Sequence, residues 1–382
     1  MRITDVQTFL TGTRWRNFLF VKVSTDEGIT GVGEATLEGK EKAVEAAIHQ
    51  LKRRSVVGAN PFNIEEIWMR MYRNEFWHGG PVLLTAMSGI EIACWDIIGK
   101  ALGQPVYNLL GGRCRDKVLT YANGWYGGER TPENFAQRAK KVIEKGYKAL
   151  KFDPFGSAGR EMSRQEKVKS IDIVAAVRDA VGPDIEIFIE VHGRFSPMTA
   201  IEIAKELEPY RPGWYEEPVP PDNHDAMALV AHKINIPVAT GERLYTRYGF
   251  RRLFELQAAS IIQPDILHTG GILETKKIAA MADTYYMTVA PHNPNGPIST
   301  AVAIQIDACL TNFYIQECLD DFDVPWKSQL VKGALEIKEG YITIPDRPGI
   351  GVELNEEVIR EHPYLEDAFF NMWGEGWEKD FA

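Results

Sequence analysis

The sequence predicts an α/β protein in which a (β/α) barrel carries an N-terminal α+β module. Three observations lead there. Beyond residue 116, eight short apolar segments alternate with helical patterns. The first 115 residues follow a different order, with strands first and helices after. An ionisable residue recurs near the end of six successive later segments, 23 to 27 residues apart.

The opening stretch MRITDVQTFL alternates as a strand does, and residues 17 to 35 read as a hairpin turning at TDEG, 25 to 28. Helical patterns cover 40 to 54, 62 to 74 and 82 to 102, the last stopped by Gly103-Gln104-Pro105. GGRCRD at 111 to 116, glycine-rich and polar, marks a boundary, so residues 1–115 are expected to form the α+β module. Strand candidates then follow at 118–124, 147–153, 185–192, 213–219, 237–243, 260–267, 287–293 and 313–319. With the amphipathic stretches between them, they meet the needs of a closed barrel over 116–327. A doubly wound open sheet is the alternative this pattern leaves open. Residues 328–382 include GALEIKEGYITIPDRPGIGVEL and are expected to pack back onto the first module.

Composition narrows the partners. With 53 Asp+Glu against 43 Lys+Arg, the net charge of −10 argues against nucleic acid or an anionic membrane. Four scattered cysteines without a CxxC pair, and no secretory leader, fit a reducing cytoplasm. No apolar run is read as approaching the roughly 20 residues of a spanning helix.

The recurring residues are Glu190, Glu216, Glu242, Asp265, His292 and Glu317. Parallel barrel strands would set them at one height around the C-terminal mouth, where barrel enzymes keep their chemistry. Glu190, Glu216 and Glu242 fall on three consecutive strands, so their carboxylates can converge. Three anions held together need a cation or protons between them, and an all-oxygen set suits a hard ion such as Mg²⁺. One of the three could instead pair with Arg194 or Arg243. In Glu216-Glu217, Glu216 is taken to face the mouth and Glu217 the helix layer. Asp265 bonded to one ring nitrogen would fix the tautomer of His292 and make it a general base. Glu317 is placed to bond a substrate oxygen. His192, two residues beyond Glu190 on one strand face, points the same way. The remaining histidines lack the register and, His78 set apart, are read as structural or surface residues.

Together with SGIEIACWDIIGKALGQPVYNLLGG at 88 to 112, WYEEPV, ATGERL, QPD and APHNPNGPI, these residues resemble the enolase superfamily in its mandelate racemase branch. STDEGITGVGEA, HGR at 192 to 194, KELEPYRP and TGGILETKKIA are most similar to the acid-sugar dehydratases of that branch, those acting on D-galactonate among them. The resemblance implies a modified TIM barrel under an N-terminal capping domain completed by the C-terminal segment. It implies Mg²⁺ on Glu190, Glu216 and Glu242, a small sugar-acid substrate and a homo-oligomer. Two departures stand out. The first ligand is usually Asp, and the extra methylene of Glu190 moves its carboxylate by roughly 1.5 Å, one carbon–carbon bond. Racemases of the branch carry Lys-x-Lys on the second strand, whereas Lys151-Phe152-Asp153 lacks the second lysine.

A dehydratase is therefore expected. His292 would take the C2 proton, Lys151 and Glu317 would stabilise the enediolate with the metal, and His192 would protonate the leaving C3 hydroxyl. Asp153, Arg16, Trp77 and His78 are expected at the substrate, the last three on loops that close over the sugar chain. An epimerase or cycloisomerase sharing the enediolate, and a degenerate sugar-acid binding protein, are the rival readings.

Overall fold

The computed structural model describes residues 1–379. Strands β1 (Ile3–Gly12), β2 (Asn17–Thr25) and β3 (Thr30–Glu34) form an antiparallel sheet in that order. β2 is apolar almost throughout because both its faces are buried. Leu19, Val21 and Val23 enter the core of the module itself, while Phe18 and Phe20 join the core shared with the barrel. Helix Pro81–Leu102 lies against β3 so closely that a Cβ on Gly31 or Gly33 would sit 2.0 or 2.1 Å from the carbonyl oxygens of Ala93 or Gly89. Contrary to the sequence expectation, this helix is long and apolar enough to cross a membrane. With 83% of its apolar window buried, it has the surroundings of a core helix.

Eight strands follow: β4 (Lys117–Ala122), β5 (Ala149–Phe152), β6 (Glu186–Glu190), β7 (Trp214–Glu216), β8 (Val238–Thr240), β9 (Ile261–Ile262), β10 (Thr288–Val289) and β11 (Gln316–Cys318). Each pairs in parallel with the next from β4 to β10, and β11 pairs in parallel with β4. The ring closes where Val289 N donates to Asn312 O and Tyr314 N to Val289 O. The sheet is thus a closed barrel, and the open-sheet alternative falls. Thr131, Ser163, Ser196 and Asn223 start four of the intervening helices by accepting the backbone N–H three residues on. Tyr121, Phe188 and Trp214 fill the barrel interior opposite Ala149, Ala239 and Ala290, with Phe188 and Trp214 stacked at 3.5 Å. The site above therefore rests on a packed floor.

Residues after 328 divide between the two parts. β12 (Val331–Lys332) pairs with β15 (Glu353–Leu354). β13 (Ile337–Lys338) and β14 (Tyr341–Thr343) form a hairpin that extends the sheet antiparallel to the start of β4. The return to the module comes later, where Ile350 N donates to Asp96 Oδ1, Leu365 N to Asn17 Oδ1 and Gly12 N to His362 O. The tail then runs on to the barrel mouth, a destination the sequence did not suggest.

Candidate active site

Glu190 and Glu216 end β6 and β7 as paired neighbours, and Glu242 lies just past β8. One carboxylate oxygen from each lies within 4.8 Å of the others. Glu190 Oε1 accepts His192 N at 2.6 Å, whereas its buried Oε2 accepts no hydrogen bond. That oxygen, with no hydrogen bond and only the Lys151 ammonium at 3.3 Å, belongs to an all-carboxylate cluster of the kind a hard divalent cation fits. The longer Glu190 side chain has not broken the convergence.

Lys151, 2% exposed, bridges the floor, with Nζ 2.6 Å from Glu216 Oε1, 3.0 Å from Glu317 Oε1 and 3.3 Å from Glu190 Oε2. Glu216 Oε2 accepts Trp214 Nε1 at 2.8 Å. Burial, together with the neighbouring Glu190 charge, pushes the Glu216 carboxyl well above the usual range. Glu317 is held by Lys151, Asn123 and Asn293 N. Burial would raise its pKa, but the Lys151 and His292 charges hold it below the ordinary value. Glu217 turns away from the cluster to Thr240 and Arg243.

His192 follows β6 and His292 follows β10, four strands on in a ring of eight, so they face each other across the mouth. His292 Nδ1 lies 2.8 Å from Asp265 Oδ2, and its Nε2 lies 3.4 Å from Glu242 Oε2. Burial alone would lower the imidazole pKa. The Glu242 and Glu317 charges and the Asp265 hydrogen bond outweigh it and raise His292 to about 9. His192 departs from strand geometry: its φ of 54° is left-handed, so simple alternation with Glu190 does not set its direction. Asp153 does so instead, bonding His192 Nδ1 at 2.7 Å. Burial lowers the His192 pKa, but Glu190 and Asp153 together raise it above the ordinary value.

Both histidines and Lys151 line a cavity of about 190 Å³. A larger one, about 430 Å³, lies beyond Trp15 but carries neither histidine nor the carboxylate cluster. Of the residues expected at the substrate, Asp153 stands behind His192, bonded also to Arg194. Arg16 is 2% exposed and salt-bridged to Asp323 at 2.6 Å. Trp77 is 88% exposed, and His78 packs on Tyr72, both off the cavity. Sequence reasoning missed Glu38, Tyr126, Phe370, Met372 and Trp377, which do line it. The aromatic run DAFFNMWGEGW at 367 to 377 was the available signal.

Comparison with known proteins now decides the family. Residues 134–358 match the family described as enolase C-terminal domain-like, and residues 2–111 match the mandelate racemase / muconate lactonizing enzyme N-terminal domain. The chain belongs to this family. Among curated relatives, D-galactonate dehydratase of Ralstonia pickettii (strain 12J) is 40% identical over 374 residues, covering 94% of each chain. That of Pectobacterium atrosepticum is 39% identical over 366 residues at the same coverage. A solved member of the enolase superfamily from Salmonella Typhimurium superposes with a TM-score of 0.90 at 38% identity, covering 95% of this chain and 98% of the other. In this enolase-superfamily chain the barrel and its cap are thus as the sequence motifs implied.

Proposed function

We propose that this hydro-lyase, a sugar-acid dehydratase, takes a proton from C2 of an aldonate and expels the C3 hydroxyl, yielding a 2-keto-3-deoxy acid. The observation that carries the reading is the pair of opposed imidazoles, each bonded through Nδ1 to its own buried aspartate. Glu190, Glu216 and Glu242 are the residues that would hold a Mg²⁺ ion. When bound, such an ion supplies positive charge beside the substrate carboxylate, which makes the C2 proton more acidic.

Asp265 accepts the Nδ1 proton of His292, and Glu242, with part of its charge offset by a cation, would raise this imidazole less, leaving the Nε2 lone pair for the C2 proton. As that C–H bond breaks, its electron pair moves into the carboxyl group, where the Lys151 ammonium offsets the growing charge. The pair then returns to form the C2–C3 double bond, and the C3–O bond breaks toward oxygen. His192, as imidazolium, gives that oxygen its Nε2 proton, so water leaves and the enol tautomerises to the ketone. Base and acid on opposite sides suit an anti departure of proton and hydroxyl.

Two measurements test this. A Mg²⁺-supplemented screen of aldonates should yield 2-keto products that have lost one water. In deuterium oxide, His192→Asn should still exchange the C2 proton while failing to dehydrate. Normal dehydration by that variant would remove His192 from the role.

A further inference from the structure

Glu38 is the cavity-lining carboxylate that the mechanism does not use. It sits in the turn after β3, on the capping module rather than the barrel. The turn is fixed by its backbone: Lys40 N donates to Leu37 O at 2.9 Å, and Gly39 N donates to Glu41 Oε1 at 3.0 Å. Among the described residues, nothing donates a hydrogen bond to the Glu38 carboxylate, which is solvent-accessible at the cavity rim. It shares that lining with His192, His292 and Lys151. Burial raises its carboxyl to about 7, against the pull of the Arg16, His292 and His192 charges.

Among the described residues, Lys151 is the one lysine or arginine on the cavity lining. Trp15, Phe370, Met372 and Trp377 are the neighbours of Glu38 on the lining, and Lys151 belongs to the floor. Arg16 is buried, with Nη2 on Asp323, and Arg194 is buried on Asp153. A substrate held by its C1 carboxylate at the floor would therefore bring its far end to one carboxyl acceptor among apolar rings, anionic above about pH 7. A terminal hydroxyl can donate to that acceptor while its carbons pack on the rings. A terminal carboxylate would lose water there and meet a like charge.

We infer that Glu38 is the specificity-determining residue for the distal end of the substrate, accepting hydrogen bonds from its hydroxyls and rejecting acids with a second carboxylate. This rests on the sugar-acid reading above. An unpaired like charge is how a site excludes a near-isostere of its ligand, and a charged hydrogen bond left unmade costs the true ligand in turn.

The experiment compares D-galactonate with galactarate, which differ at C6 alone, on the Mg²⁺-loaded protein at about pH 8.5, where Glu38 is ionised. Wild type should favour galactonate by on the order of a hundredfold in kcat/KM. Glu38→Gln should lower the galactonate value by about tenfold and shrink the preference by at least about tenfold. Glu38→Ala should do the same, which separates lost charge from lost shape. Equal use of both acids by wild type, or an unchanged ratio in both variants, overturns the inference. If neither acid is turned over, the dehydratase reading fails by itself. The ratio of the two dissociation constants on wild type and Glu38→Gln, measured by calorimetry, then decides the role of Glu38. An unchanged ratio, or no binding of either acid, counts against it.

Discussion

His192 and His292 each bond a buried aspartate through Nδ1, at 2.7 and 2.8 Å, yet the two aspartates differ in their other partners. Asp153 Oδ2 also accepts Arg194 Nη2 at 2.5 Å, so a fixed cation offsets much of the pull it exerts on a proton at His192. Asp265 Oδ2 shares itself with the neutral amide of Asn295 at 3.0 Å, and burial depresses the pKa of nearby His268. The same oxygen also lies 3.5 Å from His268 Nε2, while His292 Nε2 faces Glu242 and Glu317 as well. On the proposed mechanism, similar dyads with different second partners would become a stronger base on one side and a readier proton donor on the other. On that mechanism, the groups behind the imidazoles would set the base and acid roles.

The largest effect that would break this contrast is at His292 itself. His292→Asn should lower dehydration by about a thousandfold or more and abolish C2 proton exchange. Retention of that exchange would hand the base role to another group. Next come the two aspartates, which should fail in different ways. Asp265→Asn leaves no guanidinium unpaired, so it should cost on the order of a hundredfold in kcat with a modest change in stability. Asp153→Asn leaves Arg194 buried and unpaired, so it should cost about 3 kcal/mol of stability on urea unfolding. Its loss in kcat should be smaller than that of Asp265→Asn. Matching losses in both readouts would mean that the two dyads are equivalent after all.

The sequence made the base side of this contrast legible and hid much of the acid side. Asp265 and His292 sit at adjacent strand ends, one βα unit apart, and the recurrence of ionisable residues at that spacing exposed them. The clustered carboxylates Glu190, Glu216 and Glu242 were visible for the same reason. Asp153 looked like a substrate contact because nothing in its neighbourhood shows that His192, 39 residues on, turns back through a left-handed φ to meet it. Trp77 and Arg16 were chosen as polar and aromatic loop residues. Loop composition does not say whether such a side chain ends in solvent, as Trp77 does, or in an ion pair, as Arg16 does. Glu38 and the Phe370–Trp377 wall meet only in the folded chain, more than 300 positions apart, beyond the reach of any local pattern.

The smallest effect on chemistry belongs to a third carboxylate, one paired with cations but with no imidazole. Asp323 is salt-bridged to Arg16 at 2.6 Å and lies 3.5 Å from Lys327 Nζ. Burial would raise its pKa, but the two cations outweigh it and lower the carboxyl from 3.8 to about 2. A depressed folded-state pKa means the stabilisation is complete above about pH 4 and is lost as pH falls toward 2, at most roughly 2 kcal/mol. Asp323→Asn should therefore lower the unfolding free energy at neutral pH by about 2 to 4 kcal/mol, since Arg16 is left buried without its anion. The gap to wild type should narrow as pH falls from 4 to 2, while C2 exchange under folded conditions stays near the wild-type rate. A gap independent of pH would mean that packing, not the ion pair, holds the loop at Thr13–Asn17 to the barrel. A large loss of exchange would show that charge compensation beyond the two dyads also tunes the base.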